Sequence, residues 1–283
     1  MSVLQSVLLG VLQGIAEFLP ISSSGHLALA QHLFDLKEVP LLYDIILHLA
    51  TLLAVVLFFR NKIIKLFACL FRWIAKKEYT GEVDENDFLC GNDTITRRTI
   101  LAVIFTTLVT GFIGILTSKL IPELSIKFSC AGFLVTAALL IFSGIIERKN
   151  SEKKENEETI KGISIFQSLF IGFMQGIGTL PGISRSGSTI CGAQFCGVNR
   201  DTAGEYSFIV SIPAILGAFI LEAKDLGEVS SSIGPLTVLA GFFAAFVSGY
   251  ISLIFLMKLI KKGKLKWFSL YLIPLGIAGL LFL

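Results

Sequence analysis

Leu8–His26 reads LLGVLQGIAEFLPISSSGH and Phe170–Ser188 reads FIGFMQGIGTLPGISRSGS. Set 162 positions apart, they pair Gly10 with Gly172, Gln13 with Gln175, Gly14 with Gly176, Ile15 with Ile177, Ser22 with Ser184, Ser24 with Ser186 and Gly25 with Gly187. Pro20 and Pro181 match with a slip of one residue. The shared residues are Gly, Gln, Ser and Pro rather than interchangeable aliphatics, so the match reads as an internal repeat. Each copy is an apolar run broken in the middle by Pro, Gly and Ser, into pieces of about 12 to 17 residues that are too short to cross a bilayer.

The chain around them is that of an integral membrane protein. Of 283 residues, 54% are hydrophobic and 16% are charged, with mean hydropathy +0.79, whereas a soluble domain is about a quarter charged. Six stretches are apolar for about the 20 residues a helix needs to span hydrocarbon: Leu41–Phe59, Thr99–Ser118, Phe128–Ile146, Glu205–Leu221, Leu236–Met257 and Trp267–Leu283. No Lys or Arg precedes Lys37, so the N-terminus lacks the basic start of a cleavable signal and is expected to belong to the mature fold. The five cysteines show no metal-ligand spacing and read as small apolar residues. No nucleic-acid partner is expected.

Basic residues gather in three connections, Arg60–Arg98, Arg148–Lys161 and Lys258–Lys266, while the alternate connections carry only Lys37, then Lys119 and Lys127, then Lys224. The positive-inside rule places the first three in the cytoplasm. The acidic stretches Glu82–Phe88 and residues 150–158 read as solvated loops. With this topology the first broken region, Ser2–Leu36, enters and leaves from outside, and the second, Ile163–Val198, from the cytoplasm. The expected fold is therefore all-α, with about six transmembrane helices and two re-entrant hairpins in an inverted-topology repeat. It is one membrane domain, residues 1–283, with halves at about 1–147 and 162–283 joined by a polar cytoplasmic loop, 148–161.

Inverted hairpins bring their broken tips together near the midplane, where irregular backbone is tolerated only around a protein-lined or wet cavity. The first tip offers Gln13, Glu17, Ser22, Ser23, Ser24 and His26; the second offers Gln175, Thr179, Ser184, Arg185, Ser186, Ser188 and Thr189. Arg185 cannot lose its proton, so its charge in an apolar setting requires an anionic partner. That partner is either Glu17 or a phosphate, which a forked guanidinium at a helix start binds well. Gln13 and Glu17 lie four apart on one helix face and offer oxygens suited to a hard divalent cation. A serine beside an imidazole is an activated nucleophile, and His26 itself could attack phosphorus or protonate a leaving oxygen. His32 and His48 read as interior hydrogen-bonded residues. A transporter of an anionic lipid would share the inverted build. It accounts less well for tips that differ, with Glu17 opposite Thr179, Ser23 opposite Arg185 and His26 opposite Ser188. A purely structural protein leaves Arg185 unexplained.

QGIAEFLPISSSGH and PGISRSGST together resemble the two motifs of the undecaprenyl-diphosphate phosphatases of the bacitracin-resistance family, Glu or Gln four residues before Glu ahead of a Pro, Ser-Ser and Gly-His tip, and PGxSRSxxT. The resemblance covers nearly the whole chain. It implies a multi-pass enzyme of the bacterial inner membrane that removes the terminal phosphate of C55 polyprenyl diphosphate, recycling the carrier for cell-wall synthesis and conferring resistance to bacitracin. It also implies a divalent cation, Mg²⁺ or Ca²⁺, and a homodimer. Carried over residue by residue, Glu17, Ser23, His26 and Arg185 are catalytic; Ser22, Ser184, Arg185, Ser186 and Thr189 bind substrate; Glu17 and Gln13 serve the metal. Many members have Glu where this chain has Gln13, so one carboxylate is missing here. The nucleophile, Ser23 or His26, stays open, and the active site is expected to face the extracytoplasmic side.

Overall fold

The structure is a computed structural model that describes residues 1–36, 39, 41–77, 87, 89–120, 125–151, 162–222 and 233–283, with the side chains of 41, 42, 147–151 and 222 left out. All regular elements among these residues are helical. In chain order they are α1 (Val3–Phe18), α2 (Ser23–Leu33), α3 (Leu41–Phe58), α4 (Arg60–Ile74), α5 (Asp93–Leu120), α6 (Ile126–Ser151), α7 (Ile165–Ile177), α8 (Arg185–Phe195), α9 (Arg200–Glu222), α10 (Pro235–Lys261), a 3₁₀ turn (Leu265–Phe268) and α11 (Ser269–Phe282). Five of the helices, counting the 3₁₀ turn with α11, are long and apolar enough to cross a membrane, and α3 makes a sixth candidate when taken with α4. Large apolar side chains face outward along them, such as Leu108, Phe112, Phe142, Phe243 and Ile251, each more than half exposed. Such a surface is stable only in contact with lipid.

The two broken regions are built alike. α1 and α7 both begin with a capping box, Ser2 with Gln5 and Ser164 with Gln167, in which each serine accepts from the amide three residues on and each glutamine oxygen accepts from the serine's own N–H. Sixteen and 13 residues long, α1 and α7 are too short to span, and each is followed by a turn and an 11-residue helix. α1 lies along α10, and α7 lies along α5. The glycines matched in the sequence sit at these contacts: a Cβ on Gly14 would fall 2.6 Å from the Ala245 carbonyl, and one on Gly176 2.7 Å from the Ile113 Cβ. Small residues let the backbones approach where no hydrophobic drive separates helix from lipid. Hydroxyls then bond across: Ser6 Oγ donates to the Thr237 carbonyl at 2.5 Å, and Thr106 Oγ1 to the Ser168 carbonyl at 2.9 Å.

The connection expected from Arg60 to Arg98 is corrected in part. α4 occupies Arg60–Ile74, and α5 already begins at Asp93. The basic residues that mark the segment as a loop are interleaved with Ile63, Ile64, Leu66, Phe67, Leu70, Phe71 and Ile74, which follow a helical period. Of the two acidic stretches, only Asp87 and residues 150 and 151 lie among the described residues.

Leucine at position 14 or 176 is expected to lower stability by about 1–3 kcal/mol through overpacking. Gly111→Leu, with nothing within 4 Å of the added Cβ, is expected to stay within about 0.5 kcal/mol of the unsubstituted chain. Thermal unfolding of the purified protein in detergent checks both.

Candidate active site

α1 stops at Phe18, and Leu19–Ser22 turn the chain before α2. The turn holds Ser22 at φ 71°, in the left-handed region that a non-glycine residue adopts at a cost. Its hydroxyl caps α2 by accepting from the Gly25 amide. In the second hairpin, Ser184 caps α8 by accepting from the Gly187 amide at 3.1 Å. Thr136 of α6 fastens that tip, accepting from the Ser184 amide at 2.9 Å and donating to the Gly182 carbonyl at 3.2 Å. The tips are joined where Ser186 Oγ donates to the Phe18 carbonyl at 3.2 Å.

Glu17 is the centre of the site. It is 7% exposed. Arg185, the first residue of α8, forms an ion pair with its Oε1. Its Oε2 accepts from Ser23 Oγ at 2.6 Å and from Gln13 Nε2 at 3.0 Å, and His48 Nε2 stands 3.3 Å away. The guanidinium and the positive end of α8 thus face the same point as the carboxylate and a serine hydroxyl. Beside the pair lies a pocket walled by Thr51 and Val55 of α3, by Ser207, Phe208, Ser211 and Ile215 of α9, and by Phe18 and Ser186.

The expected residues divide into three groups. Gln13, Glu17, Ser23 and Arg185 are in direct contact, with Ser186 at the pocket wall. Ser22, Ser184 and Thr189 brace the tips instead, Thr189 by donating to the Arg185 carbonyl at 2.6 Å. His26 is held elsewhere. Its Nδ1 is 2.8 Å from the Ser22 carbonyl, which can only accept, so that nitrogen carries the proton; Nε2 then accepts from the Tyr271 hydroxyl at 2.9 Å. The ring also packs on Phe133.

Five residues of this neighbourhood go beyond the expected set: His48, Thr51, Ser207, Ser211 and Tyr271. His48 was read as an interior residue, and its Nδ1 does bond the Asp44 carbonyl at 2.8 Å, but Nε2 turns to Glu17. Ser207 and Ser211 carried a signal, being polar, four apart, and inside an apolar span. Tyr271 carried none, because its partner is 245 positions away.

Among the described residues there is no group of three or more His, Cys, Asp or Glu side chains that could cage a metal. A hard cation that keeps its waters and phosphate oxygens needs fewer protein ligands. Gln13 Oε1 fits that case, as a buried carbonyl oxygen with no hydrogen-bond partner one turn from Glu17.

A multi-pass helical membrane protein whose two interrupted hairpins meet at a buried carboxylate, guanidinium and serine is thereby defined. The chain belongs to the bacitracin resistance protein BacA family, whose model matches residues 6–278. It is 44% identical over 277 residues to a protein of Treponema denticola, 37% identical over 282 residues to one of Carboxydothermus hydrogenoformans, and 36% identical over 280 residues to one of Methanobrevibacter smithii. Each match covers 98% of this chain and 96% of the relative, and each relative is named undecaprenyl-diphosphatase.

Arg185→Ala is expected to cost about 3–5 kcal/mol of stability, since it takes from the buried Glu17 carboxylate its guanidinium partner. Adding Glu17→Gln is expected to recover much of that loss, and a double-mutant cycle on thermal unfolding measures the coupling.

Proposed function

We propose that this chain hydrolyses undecaprenyl diphosphate to undecaprenyl phosphate and inorganic phosphate, in the bacterial inner membrane. The observation that carries the reading is the triple contact of Ser23, Glu17 and Arg185 beside a pocket with polar and apolar walls. A diphosphate on a lipid tail needs such a place, because its head must be held by charge while its tail remains in hydrocarbon. The names of the relatives support the substrate.

In this proposal the diphosphate takes over the Arg185 guanidinium, whose fork matches two phosphate oxygens, and the α8 amides add to the field. Glu17 keeps its Oε2 toward Ser23. As Ser23 Oγ attacks the terminal phosphorus, its proton passes to Glu17 Oε2 along the 2.6 Å hydrogen bond. A phosphoserine bond forms, the bridging P–O bond breaks, and the lipid monophosphate leaves. Water then attacks the phosphoserine; the P–Oγ bond breaks, the serine oxygen takes back the proton held on Glu17, and inorganic phosphate leaves with the water's oxygen, its surplus proton passing to solvent. His26, with both nitrogens engaged by Ser22 and Tyr271, is assigned the support of the first tip. Gln13 and Glu17 would hold a divalent cation, Mg²⁺ in preference to Ca²⁺ because only two protein oxygens are offered. The cation would neutralise charge on the phosphates.

The proposal extends to the carrier's recycling for cell-wall synthesis, to bacitracin resistance, to an inverted-topology repeat, to a site facing the extracytoplasmic side and to a homodimer. The basic connections support the orientation through the positive-inside rule. The matched capping boxes and packing glycines support the repeat.

Phosphate release from C55 polyprenyl diphosphate by detergent-purified protein tests the reading. Activity is expected to need added Mg²⁺ and to vanish with chelator. Ser23→Ala and Glu17→Gln are expected to lose about a hundredfold or more in kcat, and Arg185→Ala to lose activity with a raised KM. Retained activity in Ser23→Ala with loss in His26→Ala would transfer the nucleophile to His26. No release from well-folded protein across metals and chain lengths would overturn the enzyme and leave lipid transport to be tested in liposomes.

A further inference from the structure

α4 turns 80° away from α3 at Phe59, so it runs across the end of a span rather than continuing it. One side of α4 is fastened to the protein. Lys62 Nζ lies 3.1 Å from Asp87 Oδ1 and 2.5 Å from Glu205 Oε2 at the start of α9. Burial alone would lower the Lys62 pKa, but the Glu205 and Asp87 carboxylates outweigh it and hold it above the ordinary value. Cys69 Sγ meets Asp93 Oδ1 at 3.4 Å, and the Arg97 guanidinium stands 5.6 Å over the Trp73 ring. At about 100° per residue, positions 62, 69 and 73 fall on one side of the helix.

The opposite side is bare and apolar. Ile64, Phe67, Phe71 and Ile74 are 64%, 55%, 67% and 71% exposed, and among the described residues the two phenyl rings stack only along their own helix at 6.5 Å. The flanks between these sides differ in chemistry: Lys65 and Arg72 lie along one, followed by Lys76, and Ile63 and Leu70 lie along the other. A helix with an apolar face, one apolar flank and one cationic flank suits the boundary between acyl chains and headgroups.

We propose that α4 is an in-plane anchor that binds a bilayer surface carrying anionic headgroups, with Ile64, Phe67, Phe71 and Ile74 among the upper acyl chains and Lys65 and Arg72 on the lipid phosphates. Charge complementarity selects this occupant, since basic side chains beside an inserted apolar face attract an anionic leaflet. Position agrees with it, because α3 is strongly apolar and α4 begins where α3 ends, turned 80° away from it. The anchor is joined to the site's framework, as Lys62 grips Glu205 on α9, the helix that also carries Ser207 and Ser211 to the pocket. This inference does not rest on the proposed reaction.

Tryptophan fluorescence in vesicles tests it. The chain has two tryptophans, Trp73 and Trp267, and Phe67→Trp is made in a Trp73→Phe, Trp267→Phe background. In phosphatidylcholine vesicles containing phosphatidylglycerol, the indole at position 67 is expected to be quenched by lipids brominated high on the acyl chain and shielded from aqueous iodide. Adding Lys65→Gln and Arg72→Gln is expected to raise iodide quenching roughly twofold in those vesicles, with little change in phosphatidylcholine alone. Free access of iodide in the starting protein overturns the proposal. So does shielding without bromolipid quenching that weakens as protein is diluted into lipid, which would put a second copy of the chain on this face. Equal effects of the double substitution in both vesicle types overturn the headgroup contact. Should the tryptophan variants fail to fold, hydrogen exchange on the unsubstituted chain decides it: residues 60–74 are expected to exchange more slowly with phosphatidylglycerol present, and identical rates in the two vesicle types overturn the proposal.

Discussion

A charge inside an apolar chain must be answered, and Glu17 with Arg185 is how this fold answers it. The two residues are 168 positions apart, on separate interrupted hairpins, so the pair exists only when both tips reach the same point. Removing two charges from water costs more than their attraction reliably returns, so such a pair is a poor source of stability. Its presence makes sense as part of a site, and under the proposed function an anionic ligand would take the place of Glu17 on the guanidinium. The rest of the architecture serves that meeting. Ser22 and Ser184 cap the helices that leave the breaks, Thr136 ties down the second tip, and the Ser186 to Phe18 bond locks one tip to the other.

The hairpins share a scaffold and divide the chemistry. Gln13 and Gln175 occupy matched positions, yet Gln13 donates to Glu17 while Gln175 donates to Thr110 at 3.0 Å on the neighbouring helix. In the first hairpin the glutamine is part of the site, and in the second it is a packing device. The glycines have kept one task in both, the close approach of a short helix to a long one. Similar frames with different tips bring a carboxylate and a hydroxyl from one hairpin to a guanidinium and a helix N-terminus from the other.

Much of this was legible in the sequence, for a definite reason. Polar and small residues in a long apolar run have few explanations, so Gln13, Glu17, Ser23 and Arg185 stood out and do meet. α4 was hidden by the same habit of counting charge: its Lys and Arg residues marked a connection, while the period of its isoleucines and phenylalanines carried the contrary message. His48 was overlooked because a histidine that bonds its own helix looks satisfied, and only the fold shows the second nitrogen reaching Glu17. The Tyr271 contact that draws His26 toward α11 depends on where the last helix packs, which local pattern does not encode.

The packing of α1 on α10 also orders events during synthesis. Ser6 bonds the carbonyl of Thr237, 231 positions later, so the seat of α1 against α10 is complete only after residue 237 has been made. At roughly 5–20 residues per second, that is a wait on the order of tens of seconds. For part of it, until Arg185 has been made, a short apolar helix bearing Glu17 lacks its guanidinium as well as its groove on α10.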